Sequence, residues 1–203
     1  MMMATVLTYV VLGDSTAAGV GGDYQRGIAV ATSQHLGARR KVAMTNFGVS
    51  GAKMRDVVAG QLAAAEALHP DLVLLAAGAN DVTHLTPIAS IRDSLLEIVR
   101  RLRRANNDVT IVITGSPDMG APPRIPRLLR PVAGWRTRKA NRMFRAVAAS
   151  EHLVFAPIAD ETGPQFRRDP SLFDADRFHP NDRGYATWIA VLNRVLDSIS
   201  IHD

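Results

Sequence analysis

"TVLTYVVLGDSTAAGVG" (residues 5–21) sets a continuous apolar run against one acid, two hydroxyls and three glycines. A run of strand length without polar alternation suits a strand covered on both faces. The turn after it admits two readings. Small residues and glycine fit a tight strand-to-helix turn, with Ser15 capping the helix that follows. Alternatively, Ser15 is a nucleophile held at a strand end. Local sequence does not separate the two, so the rest of the chain must.

Four more apolar runs of strand length follow: "KVAMTNF" (41–47), "DLVLLAA" (71–77), "DVTIVITG" (108–115) and "HLVFAPI" (152–158). Between and after them, helical patterns cover about 24–37, 53–68, 88–105, 136–150 and 183–199. In 88–105, Ile88, Ile91, Leu95, Ile98, Val99 and Leu102 recur at helical spacing, and Pro87 suits the first turn. This alternation predicts an α/β fold, a three-layer α/β/α arrangement around a central five-stranded parallel sheet. A single domain over 1–203 is expected, without internal repeats. Ligands of such sheets bind beyond the carboxyl ends of the strands. Polar clusters stand at those ends: "GDST", "GVSG", "GAND" and "SPDMG" after the first four strands.

With 203 residues and 47% hydrophobic content, the chain is long enough for a full core. No apolar stretch approaches the ~18 residues of a membrane span, and "MMMATVLTYVVLG" lacks the charged start of a signal peptide. The expected location is cytoplasmic. The absence of cysteine excludes disulfides, thiol nucleophiles and cysteine-ligated metals. Six histidines show no H-E-x-x-H or similar ligand spacing, so neither metal nor other cofactor is expected. P-loop and dinucleotide fingerprints are missing too.

A hydrolytic serine needs an imidazole base, a carboxylate to orient it, and donors for the developing oxyanion. "DADRFHPND" (174–182) offers the first two. Asp176 and His179 are three residues apart and can share a face, and Pro180 restrains the backbone at His179. Donors are available from the Asn80 side-chain amide in "GAND", from the backbone at Gly51, and from the Ser15 N–H.

"VVLGDSTAAG", "NFGVSGA", "LLAAGAND" and "DADRFHPND", in this order, resemble the four sequence blocks of the SGNH (GDSL-type) hydrolases, from residue 10 to beyond 180. The resemblance implies a flavodoxin-like SGNH hydrolase fold, with Ser15 as nucleophile, His179 as general base then acid, and Asp176 as its orienter. It also implies an oxyanion hole from the Ser15 and Gly51 N–H groups and the Asn80 amide. Gly51 is preferred to Gly48 because the family donor follows the serine of the "SG" pair. Thr16 stands where the family has leucine. The implied activity is hydrolysis of short- to medium-chain or lipid-like carboxylic esters through an acyl-enzyme. The same residues would serve an acyltransferase or a carbohydrate deacetylase, and the scaffold alone would serve a non-catalytic binding module. Expected pocket residues are Asp14, Thr16, His84, Ile125 and Leu128; His84 has an exposed-loop reading as well.

The net charge of +5 is regional. Residues 119–150 hold eight Arg/Lys and no acid, leaving 16 basic against 19 acidic residues elsewhere. This segment, about 116–150, leaves a strand carboxyl end and should begin beside the site. Pro122, Pro123, Pro126 and Pro131 argue against regular helix before about 134. The loop is expected to wall the acyl pocket. Its basic residues over 124–145 either contact anionic substrate or an anionic membrane surface, or form a solvated helix face. Nucleic acid is not an expected partner, because no recognition motif accompanies the charge.

Overall fold

The computed structural model describes residues 6–199. Five strands, β1 (Leu7–Gly13), β2 (Val42–Asn46), β3 (Leu72–Ala76), β4 (Thr110–Ile113) and β5 (Val154–Phe155), form one sheet in the order β2-β1-β3-β4-β5. Every pairing is parallel, with Val10 beside Thr45 on one side and beside Val73 on the other. The helices are α1 (Ile28–Gly37), α2 (Met54–Gly60), α3 (Leu62–Glu66), α4 (Ala79–Thr83), α5 (Ile88–Ala105), α6 (Arg130–Ser150), α7 (Ile158–Arg168) and α8 (Asp182–Ser198).

Strand alternation sends side chains to two cores. Val10, Leu12, Val73, Leu75, Ile111 and Ile113 meet α2, α3, α5 and α6, whereas Tyr9, Val11, Leu72, Leu74 and Val112 meet α1, α7 and α8. β3 is buried along its whole length, and β1 at every position but Thr8. That is why both read as continuous apolar runs. Among the described residues, no helix is long and apolar enough to cross a membrane.

The expected strands and the three-layer arrangement are present, and the differences have local causes. The expected first strand began at residue 5, outside the described residues. The 24–37 pattern is a short 3-10 turn, Tyr24–Arg26, followed by α1, because Gly27 is extended between them. The 53–68 pattern divides into α2 and α3 at Gln61. Pro87 is the N-cap of α5 and not part of its first turn. α6 starts at Arg130, earlier than the prolines suggested, since Pro131 lies in the first turn, where no N–H is needed. α4 and α7 were not anticipated. Gly163-Pro164 lies inside α7 and reads as a turn in sequence.

Candidate active site

The sheet order reverses direction between β1 and β3, and the two diverging connections open a crevice there. Ser15 lies in the turn leaving β1, close to that edge. Gly13 makes the turn feasible: a Cβ there would stand 1.9 Å from the Ala76 carbonyl oxygen. The Gln61 side chain brackets the same residue, accepting from the Gly13 N–H (2.9 Å) and donating to the Gly13 carbonyl (2.8 Å). Asp14 Oδ1 then accepts from both the N–H and the hydroxyl of Thr16, each at 2.9 Å, and tightens the turn around Ser15.

His179 reaches Ser15 from the other end of the chain. Its Nε2 is 2.9 Å from Ser15 Oγ, and its Nδ1 is 2.5 Å from Asp176 Oδ2. The other Asp176 oxygen accepts from the backbone N–H groups of Phe178 (2.9 Å) and His179 (3.0 Å). Burial pushes the Asp176 carboxyl up. The hydrogen bonds from the His179 backbone and ring and from Phe178 outweigh that push and hold it below the usual carboxylate range. Gly21 permits the approach of the two segments, because a Cβ there would meet the Pro180 carbonyl at 2.5 Å and His179 Cβ at 2.7 Å. Tyr185 adds a tie by donating to the Val20 carbonyl (2.6 Å).

The loop after β2 is held by the "GAND" segment. Asn80 Nδ2 donates to the Ala52 carbonyl (3.1 Å), and Asp81 Oδ2 accepts from the Met54 N–H (2.9 Å). Gly48 packs tightly, with its Cβ position 2.7 Å from the Ala17 side chain, whereas the corresponding position at Gly51 is open. Among the described residues, the N–H groups of Ser15 and Gly51 carry no hydrogen bond. One amide hydrogen of Asn80 is committed to Ala52, which leaves the second available.

Beside Ser15, Thr16 and His179 lies a mostly apolar cleft walled by Met119, Phe166, Phe173, Phe178 and Trp188. The space in it that admits a water-sized sphere is only about 30 Å³. The arrangement can therefore activate a hydroxyl, place donors nearby and receive a small apolar group.

A family model described as GDSL-like Lipase/Acylhydrolase matches residues 11–187, which span the whole crevice. The chain belongs to this family. It is 31% identical over 182 residues to the GDSL-like esterase Rv1075c of Mycobacterium tuberculosis, covering 87% of this chain and 57% of that protein. It thus spans little more than half the length of that curated relative. Its fold is similar to that of TesA, with TM-score 0.75, 22% identity, and coverage of 93% of this chain and 97% of the other. It is also similar to a G-D-S-L lipolytic protein from Veillonella parvula, with TM-score 0.76, 17% identity, and coverage of 95% and 100%.

In this GDSL-like chain, the expected residues fall into two groups. Ser15, Asp176 and His179 are joined by hydrogen bonds, Asn80 braces the Gly51 loop, and Thr16 lines the cleft. The remaining pocket candidates do not line that cleft. Asp14 is buried in the turn itself. His84 is exposed at the end of α4, its ring bonded to the Asn80 carbonyl. Ile125 is half-buried outside the cleft and Leu128 is 91% exposed, because only the first residues of the basic segment, from Pro117 to Pro122, wall the site. Burial raises the Asp14 carboxyl to about 6 against the hydrogen bonds of Thr16 and the nearby His179.

Sequence reasoning missed Gln61 and the cleft walls Phe166, Phe173 and Trp188. It also missed Asn46, which donates to the Ala17 carbonyl (2.8 Å) and accepts from Gly48 (2.9 Å). The amides carry no spacing signal. The aromatic residues lie in or next to helices whose apolar faces do not reveal which end meets the crevice.

Proposed function

We propose that this chain is a serine esterase that cleaves carboxylic esters with small acyl groups through an acyl-enzyme. The observation that carries the reading is the continuous hydrogen-bonded series Ser15 Oγ, His179, Asp176. In the proposed reaction, Ser15 Oγ attacks the ester carbonyl while His179 Nε2 takes its proton. Asp176 keeps Nδ1 protonated and favours the imidazolium that forms. The oxyanion meets the N–H groups of Ser15 and Gly51 and the second amide hydrogen of Asn80. His179 returns the proton to the departing alcohol, and water, activated by the same ring, cleaves the acyl-enzyme. The narrow cleft beside Ser15 favours a short acyl chain, and the alcohol portion faces solvent.

Two measurements test this. Ser15→Ala should abolish labelling by a fluorophosphonate, and full labelling of that variant would remove Ser15 as nucleophile. A series of p-nitrophenyl esters from acetate to palmitate should lose kcat/KM as the acyl chain lengthens. A maximum at palmitate would contradict the small-acyl assignment while leaving the nucleophile intact.

A further inference from the structure

The start of α6 carries an unusual surface. Among the described residues, nine large hydrophobic side chains are exposed, and four of them, Leu128, Leu129, Val132 and Trp135, fall within eight residues. The prolines before α6 and its buried positions Gly134, Thr137, Ala140, Asn141 and Phe144 fix its orientation. Val132, Trp135, Lys139 and Arg142 recur at intervals of three and four on the opposite, outward side, and Leu128 is exposed in the turn just before the helix. The outward stripe is therefore apolar at its start and cationic one turn later. Lys139 Nζ lies 5.2 Å from the centre of the Trp135 ring, so the charge stands directly over the apolar patch.

The cations on this side are not neutralised locally. No acid occurs from 119 to 150. Arg145 pairs with Asp160, and Arg136 donates to the Val82 and Thr86 carbonyls, but Arg127, Arg138 and Arg142 have no partner among the described residues. Arg138 and Arg142 line a hollow between α6 and α7, and Arg127 and Arg138 line the next one. The first hollow also holds Asp160 and Asp118, paired with Arg145 and Arg167, so both hollows carry an excess of arginine next to the α6 start, although none of the four exposed apolar side chains lines them. An ordinary solvated helix face would not concentrate Leu, Leu, Val and Trp at its outermost positions. A face that binds only a polyanion has no use for them. A stripe of aliphatic residues and tryptophan with cations at its border matches a helix lying in the interface of an anionic membrane.

We propose that the surface formed by Leu128, Leu129, Val132 and Trp135, with Arg127, Arg138, Lys139 and Arg142 around it, docks onto an anionic lipid surface. The apolar stripe enters the headgroup boundary and the cations meet lipid phosphates. The segment leading into this surface borders the cleft: Ala121 and Pro122 line it, the Arg124 N–H donates to the Arg177 carbonyl, and the Arg124 guanidinium lies over the Phe178 ring. Docking would therefore bring the segment that walls the cleft near lipid. The proposal does not depend on the esterase reading, since Ser15→Ala leaves this surface untouched.

The test is sedimentation with phosphatidylcholine vesicles, with and without phosphatidylglycerol, alongside tryptophan emission. Wild type and Ser15→Ala should pellet with the anionic vesicles only. Trp135 is 48% exposed and Trp188 is 7% exposed, so a blue shift on binding reports Trp135. Trp135→Phe should bind without that shift. Each interfacial cation changes partitioning by roughly fivefold, so Lys139→Ala with Arg142→Ala should weaken binding by about 25-fold. Leu128→Ser with Leu129→Ser should weaken it as well, with an unchanged thermal melt as the check on folding. Failure to bind anionic vesicles overturns the proposal. So does binding without an emission shift that ignores the Leu128 and Leu129 changes. A wild-type dimer that those changes render monomeric would make this face a self-association surface and overturn the proposal too.

Discussion

Asp14 and Asp176 both feel the charge of His179, yet they drive stability in opposite directions with pH. Asp14 titrates near 6 in the folded chain against an ordinary value of 3.8, so the native state holds the extra proton between these values. Stability attributable to Asp14 therefore falls as pH rises through that window, by about 3 kcal/mol in all. Asp176 is depressed, so its contribution is present above the usual carboxylate range and is lost as pH falls through its folded value. Asp14→Asn should gain Tm relative to wild type as pH rises from about 4 to about 6, with the gain levelling off above it. A difference that stays constant across that range would show that Asp14 is not the source. On the proposed mechanism, Asp176→Asn should lower ester kcat by about 10⁴-fold. Asn80→Ala should lower it by about 10²- to 10³-fold in a folded protein. The hydroxyl, imidazole and carboxylate were legible at this scale because their motif blocks occur together and in order. Gln61 was not, because a lone amide on a helical pattern looks like any solvent-facing polar residue.

Elements reach the strand ends through buried amides that clamp the backbone of single residues. Gln61 clamps Gly13 at the end of β1. Asn141 of α6 does the same beyond β4, accepting from the Ser116 N–H (2.9 Å) and donating to the Ser116 carbonyl (2.8 Å). Asn141→Ala would leave that N–H and carbonyl buried and unpaired, a loss of roughly 3 kcal/mol. For a chain of this size, that corresponds to a fall in Tm of roughly 6–12 °C, measurable by calorimetry. A fall under a couple of degrees would mean that water replaces the clamp. The central strands β1 and β3 and the long helix α5 were readable because their burial is uniform: in α5, Ile91, Leu95, Ile98, Val99 and Leu102 are all buried. α7 was unreadable for the opposite reason. Its buried positions are Ile158, Thr162, Gly163 and Phe166, only two of them large and apolar, and Pro164 interrupts the run.

At the scale of the whole molecule, the sheet grades from a sealed centre to open edges. β3 is buried throughout and β1 nearly so, whereas β2 has no fully buried residue and β5 is two half-buried residues long. Native-state hydrogen exchange should therefore rank β1 and β3 slowest, β4 next, and β2 and β5 fastest. Equal protection across all five strands would indicate opening only by global unfolding. The layer arrangement was legible in sequence because buried parallel strands have a composition of their own. The choice of which surface stays apolar was not, since exposure of Leu128 or Trp135 depends on how α6 rolls against its neighbours.

Ser15 and His179 stand 164 positions apart, yet they touch. During synthesis the hydroxyl emerges 164 residues before the imidazole. A nascent or prematurely terminated polypeptide that stops short of residue 179 carries an alcohol with no proton acceptor beside it. On the proposed chemistry, such fragments are inert, and reactivity switches on only once residue 179 has been made and folded against the first strand's end.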